Sequence, residues 1–453
     1  MELDKKRVVV VGLGRSGLSA TRWLAAKGAD VTVSELRQEN EIDHRSVDEI
    51  NAMGARLETG GHERQTFLDA DLIVLSPGVP HDIDPVRAAG QANIPIIGEM
   101  ELAAGSIDVP IIAVTGTNGK STTTAFIGAM FQNAGLRAFV GGNIGTPLID
   151  YATADRRADL AVVEVSSFQL DTMKTFCPKV ALLLNISPDH LDRYPSYEDY
   201  VASKLKIFQS QDTGHFAILN DDDERLSSFR PQRTGTVLRY GLRKRARRQA
   251  FIQGRLLKAS LSGREPYPFD LTRFRLPGRF NLENLMGAVL VGLACDLAPE
   301  AIQVTIDSFT GLPNRLERVA DIAGIEFYND SKATNVYAAS RSVASFEQPL
   351  ILIAGGRDKG GSYLPLVEAA EGRVRRAILL GEARDLLASA FEARIPFVFA
   401  KDMEEAVSQA FSAAATGDVV LLAPACASFD MFSDYAQRGA AFRAAVERLG
   451  HGS

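Results

Sequence analysis

Residues 109–124, VPIIAVTGTNGKSTTT, combine a lysine, hydroxyl groups and glycines in a spacing suited to phosphate chemistry. An apolar run ends in a glycine turn, and the sequence then becomes typical of a helix start, where free N–H groups and the helix dipole favour an anion. Lys120 is positioned to reach terminal phosphates, and the Ser121 hydroxyl to bind Mg²⁺. The loop, GTNGKS, is shorter than the Walker pattern, which requires glycine where Val114 stands. A plain strand–turn–helix connection with a surface lysine is the alternative.

A carboxylate and an imidazole follow two further apolar runs. Leu160–Val163 leads into Glu164, and Val180–Ile186 leads into SPDHLDRY, which contains His190 and Asp192. Carboxyl ends of parallel strands share one sheet edge, so both groups are expected near the phosphate loop. We interpret the glutamate as a Mg²⁺ ligand and the histidine as a second metal or substrate ligand. A capping or ion-paired glutamate and a structural histidine are the alternatives.

The start of the chain carries a second phosphate-binding pattern. A strand-like run, Arg7–Val11, is followed by GLGRSG, a helical stretch and a second strand, with Glu35 about 20 positions after the glycines. This is the dinucleotide fingerprint, which alone favours NAD, although any nucleoside diphosphate could use the same helix start. The strand Leu72–Leu75 ends in Ser76 and Gly78, which are candidate second contacts unless Ser-Pro-Gly is only a turn.

Alternating strands and helices predict an α/β protein with mostly parallel sheets. The length of 453 residues favours roughly three domains, and we place them at residues 1–106, 107–311 and 312–453. Residues 236–274 alternate weakly and are predicted to be antiparallel. The amides of Asn281 and Asn284 could recognise a base edge or cap a helix. In the last third, polar segment 329–335 and the GGRDKG loop follow strands, which suits an anionic ligand.

Composition excludes several classes of function. The net charge of −6 argues against a nucleic-acid-binding surface, and the basic run 239–248 is predicted to be a solvated loop or hairpin edge. Lys204 and Lys206 are also predicted to be solvated from their chemistry alone. No run approaches the ~18 apolar residues of a membrane span. The three separated cysteines are typical of free thiols in a reducing cytosol; they are Cys177, Cys295 and Cys426.

Taken in order, the motifs of the chain resemble those of the Mur ligases of peptidoglycan synthesis. They are GTNGKST, EVSSFQL, SPDHLDRY, NLEN, LPNRLE, NDSKATN, GGRDKG and PACASFD. Three segments are similar to those of the family members that add D-glutamate: GLGRSG, residues 329–335 and residues 426–430. The resemblance implies a Rossmann-like N-terminal domain for a UDP-sugar, a central P-loop-type ATPase domain and a Rossmann-like C-terminal domain for the amino acid. It implies ATP-dependent addition of D-glutamate to UDP-N-acetylmuramoyl-L-alanine by a cytoplasmic monomer, with two Mg²⁺ ions and without NAD, nucleic acid or membrane.

The resemblance also implies roles for individual residues. Those expected to contact ATP are Gly116, Thr117, Asn118, Gly119, Lys120, Ser121, Thr122, Asn284, Arg315, Asp330 and Lys332. Metal ligands are Ser121, Glu164, His190 and Lys204, the last as a carbamate, and the catalytic set is Lys120, Glu164, His190 and Lys204. The UDP-sugar contacts are Arg15, Ser16, Glu35, Leu36, Arg37, Ser76, Gly78 and Asn143. The glutamate contacts are Thr334, Lys359, Ser428 and Tyr435.

The implied reaction passes through an acyl phosphate and a tetrahedral intermediate, with His190 or Asp192 as acceptor of the amine proton. Bringing three substrates together from three domains is expected to require domain closure. Within the family, another amino-acid-adding Mur ligase or a folylpolyglutamate synthase is the alternative. From other classes, an NAD-dependent oxidoreductase leaves the phosphate loop without a purpose. A nucleotide-binding regulator would need neither Lys204 nor Lys359.

Overall fold

The structure, a computed structural model, contains three β-sheets in two compact units. The first unit comprises Met1–Thr272 and Glu283–Ile306, and the second comprises Arg273–Leu282 and Asp307–Ser453. The first two sheets belong to the first unit and the third sheet to the second. The residues that the structure describes are 2–153, 158–190, 193–233, 235–261 and 263–451.

The first sheet has five parallel strands in the order β3-β2-β1-β4-β5. Its strands are Arg7–Val11 (β1), Asp30–Ser34 (β2), Arg56–Glu58 (β3), Leu72–Leu75 (β4) and Ile96–Gly98 (β5). Its helices are Arg15–Ala26 (α1), His44–Ala52 (α2), Arg64–Leu68 (α3), Asp84–Gln91 (α4) and Glu99–Ala104 (α5), with a 3₁₀ turn at Glu39–Glu41. Because β1 lies between β2 and β4, the ends of these three strands are neighbours, where α/β folds bind ligands.

The second sheet has nine strands in the order β14-β13-β12-β11-β10-β9-β6-β8-β7. They are Ile111–Thr115 (β6), Ala138–Gly142 (β7), Leu160–Glu164 (β8), Val180–Leu183 (β9), Phe216–Asn220 (β10), Thr236–Tyr240 (β11), Ala250–Gln253 (β12), Leu256–Ala259 (β13) and Tyr267–Asp270 (β14). The helices of this part are Lys120–Asn133 (α6), Leu148–Thr153 (α7), Ser167–Asp171 (α8), Tyr197–Leu205 (α9), Glu224–Ser228 (α10), Arg279–Ala294 (α11) and Pro299–Ser308 (α12), with a 3₁₀ turn at Lys206–Phe208.

The antiparallel prediction for residues 236–274 is wrong for β11. This strand pairs in parallel with both β10 and β12, and only β12, β13 and β14 form an antiparallel meander. The reason is α10, which carries the chain back to the starting edge of the sheet before β11 begins, as a parallel pair requires.

The third sheet has six strands in the order β15-β16-β20-β17-β18-β19, and only β15 runs antiparallel to its neighbour. The strands are Glu317–Ile322 (β15), Ile325–Asn329 (β16), Leu350–Gly355 (β17), Val374–Leu380 (β18), Phe397–Phe399 (β19) and Val419–Leu422 (β20). The helices are Val336–Val343 (α13), Leu364–Ala370 (α14), Arg384–Phe391 (α15), Met403–Ala413 (α16) and Tyr435–His451 (α17).

In the first unit, one buried apolar cluster runs from the first sheet to the second. It includes Val10, Met100 on α5, Leu148 on α7 and Ala113 on β6. Burial of this shared surface fixes the first two sheets as one packed body. In the described part of the chain, no helix combines the length and apolar character that crossing a bilayer requires.

The basic run 239–248 is only partly solvated, which corrects its prediction. Residues 243–247 are exposed, but Arg239 and Arg248 are buried. Arg248 donates to Asp221 Oδ2 at 2.8 Å and to Asp222 Oδ1 at 2.7 Å. These carboxylates follow β10, and the buried one requires a cationic partner. The spacing of charges along the run does not reveal that partnership.

Candidate active site

The loop between β6 and α6 has a backbone that two glycines make possible. Gly119, at the start of α6, has φ +86°, and a Cβ there would lie 2.3 Å from Asn284 Oδ1. Gly116 has φ +153°, and its Cβ would lie 3.0 Å from the Cβ of Leu184. Any other residue at either position would be strained and crowded. The two glycines therefore permit the tight turn that leads directly into the start of α6, where helix N–H groups and the helix dipole favour an anion.

The same loop is braced by the segment that follows β9. The N–H groups of Thr117 and Asn118 donate to the main-chain and side-chain oxygens of Asn185, both at 2.9 Å. The Thr117 hydroxyl accepts from Ser187 N at 3.0 Å and lies 3.1 Å from the hydroxyl of Tyr200 on α9. These contacts fix the loop before any ligand binds.

Two lysines converge on this loop. The Nζ of Lys120 donates to the carbonyls of Gly116 and Thr117, both at 3.0 Å, and the Nζ of Lys204 donates to the same Gly116 carbonyl at 2.9 Å. Burial, and secondarily the charge of Lys120, holds the pKa of Lys204 well below its ordinary value. Lys204 is only 1% exposed, so the prediction that it is solvated is wrong. The helical periodicity of α9 places it on the buried face, a fact that its charge alone conceals.

The prediction that Lys206 is solvated holds only in part. Its ammonium pairs with Asp171 Oδ1 at 2.6 Å, and its side chain is 38% exposed. This half-buried ion pair joins the 3₁₀ turn after α9 to the end of α8.

Ser121 and Glu164 present the oxygens that a Mg²⁺ ion prefers. The hydroxyl of Ser121 donates to Glu164 Oε2 at 2.6 Å, and Asn143 Nδ2 donates to Oε1 at 2.8 Å. Glu164 is 2% exposed, so its carboxylate is held in place at the end of β8. These donors fit one Mg²⁺ ion. Across the described residues there is no group of three His, Cys, Asp or Glu side chains that could hold a metal. Lys204 can be one of the predicted metal ligands only if it carries an oxygen donor, because an ammonium group has no lone pair to offer a metal.

His190 occupies a left-handed backbone conformation, with φ +53°. Its ring lies 4.9 Å from the ring of Phe168, and its Nε2 lies 3.6 Å from Asp189 Oδ2. The imidazole is exposed, which leaves it accessible to a ligand. Asp192, the other predicted proton acceptor, lies outside the described residues.

Arg193 connects this segment to the first sheet. Its guanidinium lies 4.6 Å from the centre of the Phe168 ring and donates to the carbonyls of Gly78 at 3.2 Å and Val79 at 3.4 Å. The Ser-Pro-Gly turn after β4 is thereby tied to the loop that carries His190.

In the first sheet, Glu35 holds the glycine loop. Its carboxylate accepts from Leu13 N at 2.6 Å and from the main chain and guanidinium of Arg37, both at 3.1 Å. Burial favours the neutral acid, but these hydrogen bonds outweigh it and lower the pKa of Glu35 to about 2. Ser76 Oγ donates to Gly12 O at 2.8 Å from the other side.

A cavity of about 270 Å³ lies between the start of α1 and the loop after β7. Its lining includes four polar side chains, those of Arg15, Ser16, Asn143 and Gln169. Arg15 Nη1 donates to Gly145 O at 2.7 Å, which joins the two walls. Three predicted UDP-sugar contacts therefore meet in one cavity.

Two other predicted UDP-sugar contacts have a different setting. Leu36 is 68% exposed beside Glu35, and Gly78 is exposed in the turn after β4. Neither lines the cavity described above.

In the second unit, the predicted glutamate contacts lie on neighbouring loops. Thr334 Oγ1 and Lys359 Nζ are 3.5 Å apart, and Lys332 Nζ lies 3.8 Å from the centre of the Tyr435 ring. Ser428 is buried in the turn after β20. Cationic, hydroxyl and aromatic groups in this arrangement suit a small anionic ligand.

Asp330 follows β16 and is buried. Its Oδ1 accepts from Leu316 N at 3.3 Å, and its Oδ2 accepts from the Ser342 hydroxyl. Burial raises the pKa of Asp330 to about 6, although these bonds and the charge of Arg315 oppose the shift. The two hydrogen bonds hold the Asp330 carboxylate in a fixed orientation.

Three protein-family models match successive parts of the chain. They describe a MurD-like N-terminal domain of Mur ligases at residues 6–98, a Mur ligase middle domain at 114–292 and a Mur ligase glutamate ligase domain at 314–426. The UDP-N-acetylmuramoylalanine–D-glutamate ligase of Geotalea daltonii is 42% identical over 452 residues, covering 100% of this chain and 99% of that protein. The protein of the same name from Geobacter metallireducens is 42% identical over 454 residues, with coverages of 100% and 99%. The chain belongs to the Mur ligase family.

A solved Mur ligase shares the fold. The MurF ligase of Thermotoga maritima, determined in complex with ADP, superposes with a TM-score of 0.60 at 16% identity. The match covers 93% of the present chain and 96% of the MurF chain.

Two residues with functional geometry were missed in the sequence. Gln169 is 3% exposed, lines the cavity and uses its Oε1 to cap α8, while its Nε2 has no partner in the described structure. Its capping pattern, Ser166 followed by Gln169, was readable, but the free donor was not. Arg438 is buried and donates to Ser331 O at 2.9 Å and Cys426 O at 3.2 Å. It joins the loop after β16 to the loop after β20, which are far apart in sequence.

Proposed function

We propose that this Mur ligase joins D-glutamate to the L-alanyl carboxylate of UDP-N-acetylmuramoyl-L-alanine, converting ATP to ADP and phosphate during synthesis of peptidoglycan precursors. The observation that carries the proposal is identity of 42% over the full length to proteins named for that reaction. Because such an enzyme uses ATP and a sugar nucleotide, we place the reaction in the cytoplasm. We also propose that it acts as a monomer, without NAD and away from membranes.

The chemical difficulty of this reaction is charge. A carboxylate must attack the γ-phosphorus of a triphosphate, so two anions have to approach each other. We propose that Lys120 exchanges its loop carbonyls for the terminal phosphates, while the N–H groups at the start of α6 bind phosphate oxygens. When bound, Mg²⁺ neutralises phosphate charge, and Ser121 and Glu164 are the residues that would hold it.

Lys204 helps to offset the phosphate charge only after it has been modified. Its amine is buried against the phosphate loop, where a cation would repel a metal. We propose that the neutral amine attacks carbon dioxide, forms an N–C bond and loses its proton to solvent. The resulting carbamate is a carboxylate-like oxygen donor, which supplies the ligand for a second ion. His190 completes the proposed metal set.

The acyl phosphate formed in this way reacts with the amine of glutamate. The amine must be neutral to attack, and we propose that His190 or Asp192 accepts its proton. The tetrahedral intermediate then collapses with loss of phosphate. In the cavity, the UDP-sugar is bound by Arg15, Ser16, Asn143 and Gln169. The nucleotide is surrounded by Glu35, Leu36, Arg37, Ser76 and Gly78.

The remaining substrates use residues on several loops. For glutamate we propose Thr334, Lys359, Ser428 and Tyr435. For ATP we propose the loop residues 116–122 together with Asn284, Arg315, Asp330 and Lys332. We retain residues 1–106, 107–311 and 312–453 as the domains for the UDP-sugar, ATP and amino acid.

An isotope experiment tests this chemistry. UDP-N-acetylmuramoyl-L-alanine carrying oxygen-18 in both terminal carboxylate oxygens is incubated with ATP, Mg²⁺, D-glutamate and the enzyme. Attack on the γ-phosphorus transfers one labelled oxygen to inorganic phosphate and leaves the other in the new amide. Labelled phosphate together with the ligated product supports the proposal. Unlabelled phosphate, or labelled AMP, contradicts it.

A further inference from the structure

Cys177, His215 and Asp212 form a side-chain cluster that the proposed ligase reaction does not use. Cys177 precedes β9 and His215 precedes β10, and these strands are parallel neighbours. Both residues therefore lie at the amino-terminal edge of the second sheet. The phosphate loop follows the carboxyl end of β6, so the cluster is on the opposite edge from the nucleotide chemistry.

The three side chains are arranged as a nucleophile, a base and an orienting carboxylate. Cys177 Sγ lies 3.4 Å from His215 Nε2, and His215 Nδ1 lies 2.7 Å from Asp212 Oδ1. The main-chain N–H of Asp212 is also placed to donate to Nδ1, at the longer distance of 3.2 Å, a bond that belongs to the tautomer with its proton on Nε2. The shorter contact to the carboxylate belongs to the tautomer with its proton on Nδ1. An imidazole that donates its Nδ1 proton to the carboxylate presents the Nε2 lone pair to sulfur.

We propose that Cys177 is a covalent modification site for small soft electrophiles, with His215 as its general base and Asp212 as the group that orients the imidazole. With iodoacetamide as the electrophile, the sulfur forms a bond to carbon as the carbon–iodine bond breaks. Iodide leaves with the bonding electrons. The thiol proton, which the resting thiol donates to Ser210 O, turns towards His215 and passes to its Nε2. The imidazole then releases it to solvent, because its side chain is 21% exposed.

The other two thiols lack this arrangement. Cys426 is buried and lies 3.3 Å from the hydroxyl of Tyr363. Burial raises the pKa of Cys295 to about 12. Burial, and secondarily the charge of Asp212, also raises the pKa of Cys177, whose thiol donates to Ser210 O at 3.0 Å. Its reactivity therefore depends on a base that removes the proton during attack rather than on a standing thiolate.

The experiment measures alkylation of all three cysteines in the folded full-length chain. Limiting iodoacetamide is added at neutral pH, and samples are quenched over time and analysed by peptide mass spectrometry. We expect Cys177 to react at least tenfold faster than Cys295 or Cys426, and the three to react alike in denaturant. Equal rates in the folded chain, or a faster Cys295, would overturn the proposal.

Asp212→Asn separates orientation from simple electrostatics. Asp212 is 72% exposed on its side chain, so the substitution leaves the packing intact. Its charge disfavours the thiolate, so a purely electrostatic role predicts faster alkylation of the variant. Orientation of the base predicts slower alkylation, at least threefold. A second variant, His215→Gln, is expected to slow Cys177 at least tenfold while leaving the Cys295 rate unchanged, which controls for unfolding. Unchanged or faster Cys177 alkylation in both variants would contradict the proposal.

Discussion

The Nζ of Lys204 lies 2.9 Å from the carbonyl oxygen of Gly116, the first glycine of the phosphate loop. A buried amine in this position is either a cation facing the phosphates or a neutral group open to modification. The structure favours the neutral form, because burial and the charge of Lys120 both oppose protonation. Much of the proposed chemistry depends on what this amine becomes.

Lys204→Arg is expected to lower activity by roughly 10²-fold or more, because a guanidinium cannot form the carbamate that offsets phosphate charge. The enzyme is equilibrated with carbon-13 bicarbonate and examined by carbon-13 NMR. A carbamate resonance should appear in the parent chain and be missing from the variant. A parent spectrum without that resonance, at full activity, would refute carbamylation.

Gly119→Ala is expected to abolish ATP binding. A left-handed alanine costs about 1 kcal/mol by itself, and here the new methyl group would overlap the Asn284 amide. Gly135→Ala is the matched control, because Gly135 has φ +80° but open space where its Cβ would lie. It should lose about 1 kcal/mol of unfolding free energy and keep its activity. Denaturant unfolding and ATP titration measure both effects. Similar ATP affinities in the two variants would contradict the claim that crowding at Gly119 prevents any larger residue there from supporting ATP binding.

Gln169→Glu tests the buried, unpartnered amide nitrogen of a residue that lines the cavity. Glutamate keeps the oxygen that caps α8 but replaces the unpartnered N–H₂ group with a negative charge. The KM for the UDP-sugar should rise at least tenfold, while the KM for ATP stays within about twofold. Steady-state kinetics with each substrate varied in turn provide the comparison. Equal increases in both KM values would indicate general damage to α8 instead.

Glu99→Gln should change how stability depends on pH. Burial is the main cause that raises the pKa of Glu99 from 4.5 to about 7, although Ile149 N donates to its Oε1 at 2.7 Å. The folded state therefore holds the proton more tightly than the unfolded state. This preference stabilises the fold below about pH 4.5 and is lost as the pH rises towards 7.

The size of this effect is roughly 3 kcal/mol at most. Urea unfolding at pH 5 and pH 8 measures it as the difference between the parent chain and the variant. The parent chain should lose stability relative to Glu99→Gln between these two values. A constant difference would show that Glu99 does not titrate in this range.

Much of the fold was readable from the chain because its strands are uninterrupted apolar runs that end in glycine or polar loops. The strands β1, β4 and β8 begin and end at or within one residue of their predicted limits. The direction of β11 could not be predicted from the sequence, because it depends on the crossover made by α10 rather than on the residues of the strand.

The site was less readable than the fold. Lys120, Ser121 and Glu164 converge as predicted, since strand ends in a parallel sheet share one edge. The surroundings of three further residues, Lys204, Gln169 and Arg438, depend on burial against loops that are distant in sequence. Their residue types do not predict this burial, and only the family resemblance identified Lys204 as a site residue.

Phosphate release from ATP is the measurement that tests the central claim most directly. UDP-N-acetylmuramoyl-L-alanine is held constant while D-glutamate, L-glutamate, lysine, diaminopimelate or no amino acid is supplied. We predict sustained release with D-glutamate and only background release otherwise. Release with L-glutamate alone would contradict the stereochemistry, and release with lysine or diaminopimelate would assign another Mur ligase activity. Background release under every condition would contradict the ligase function itself.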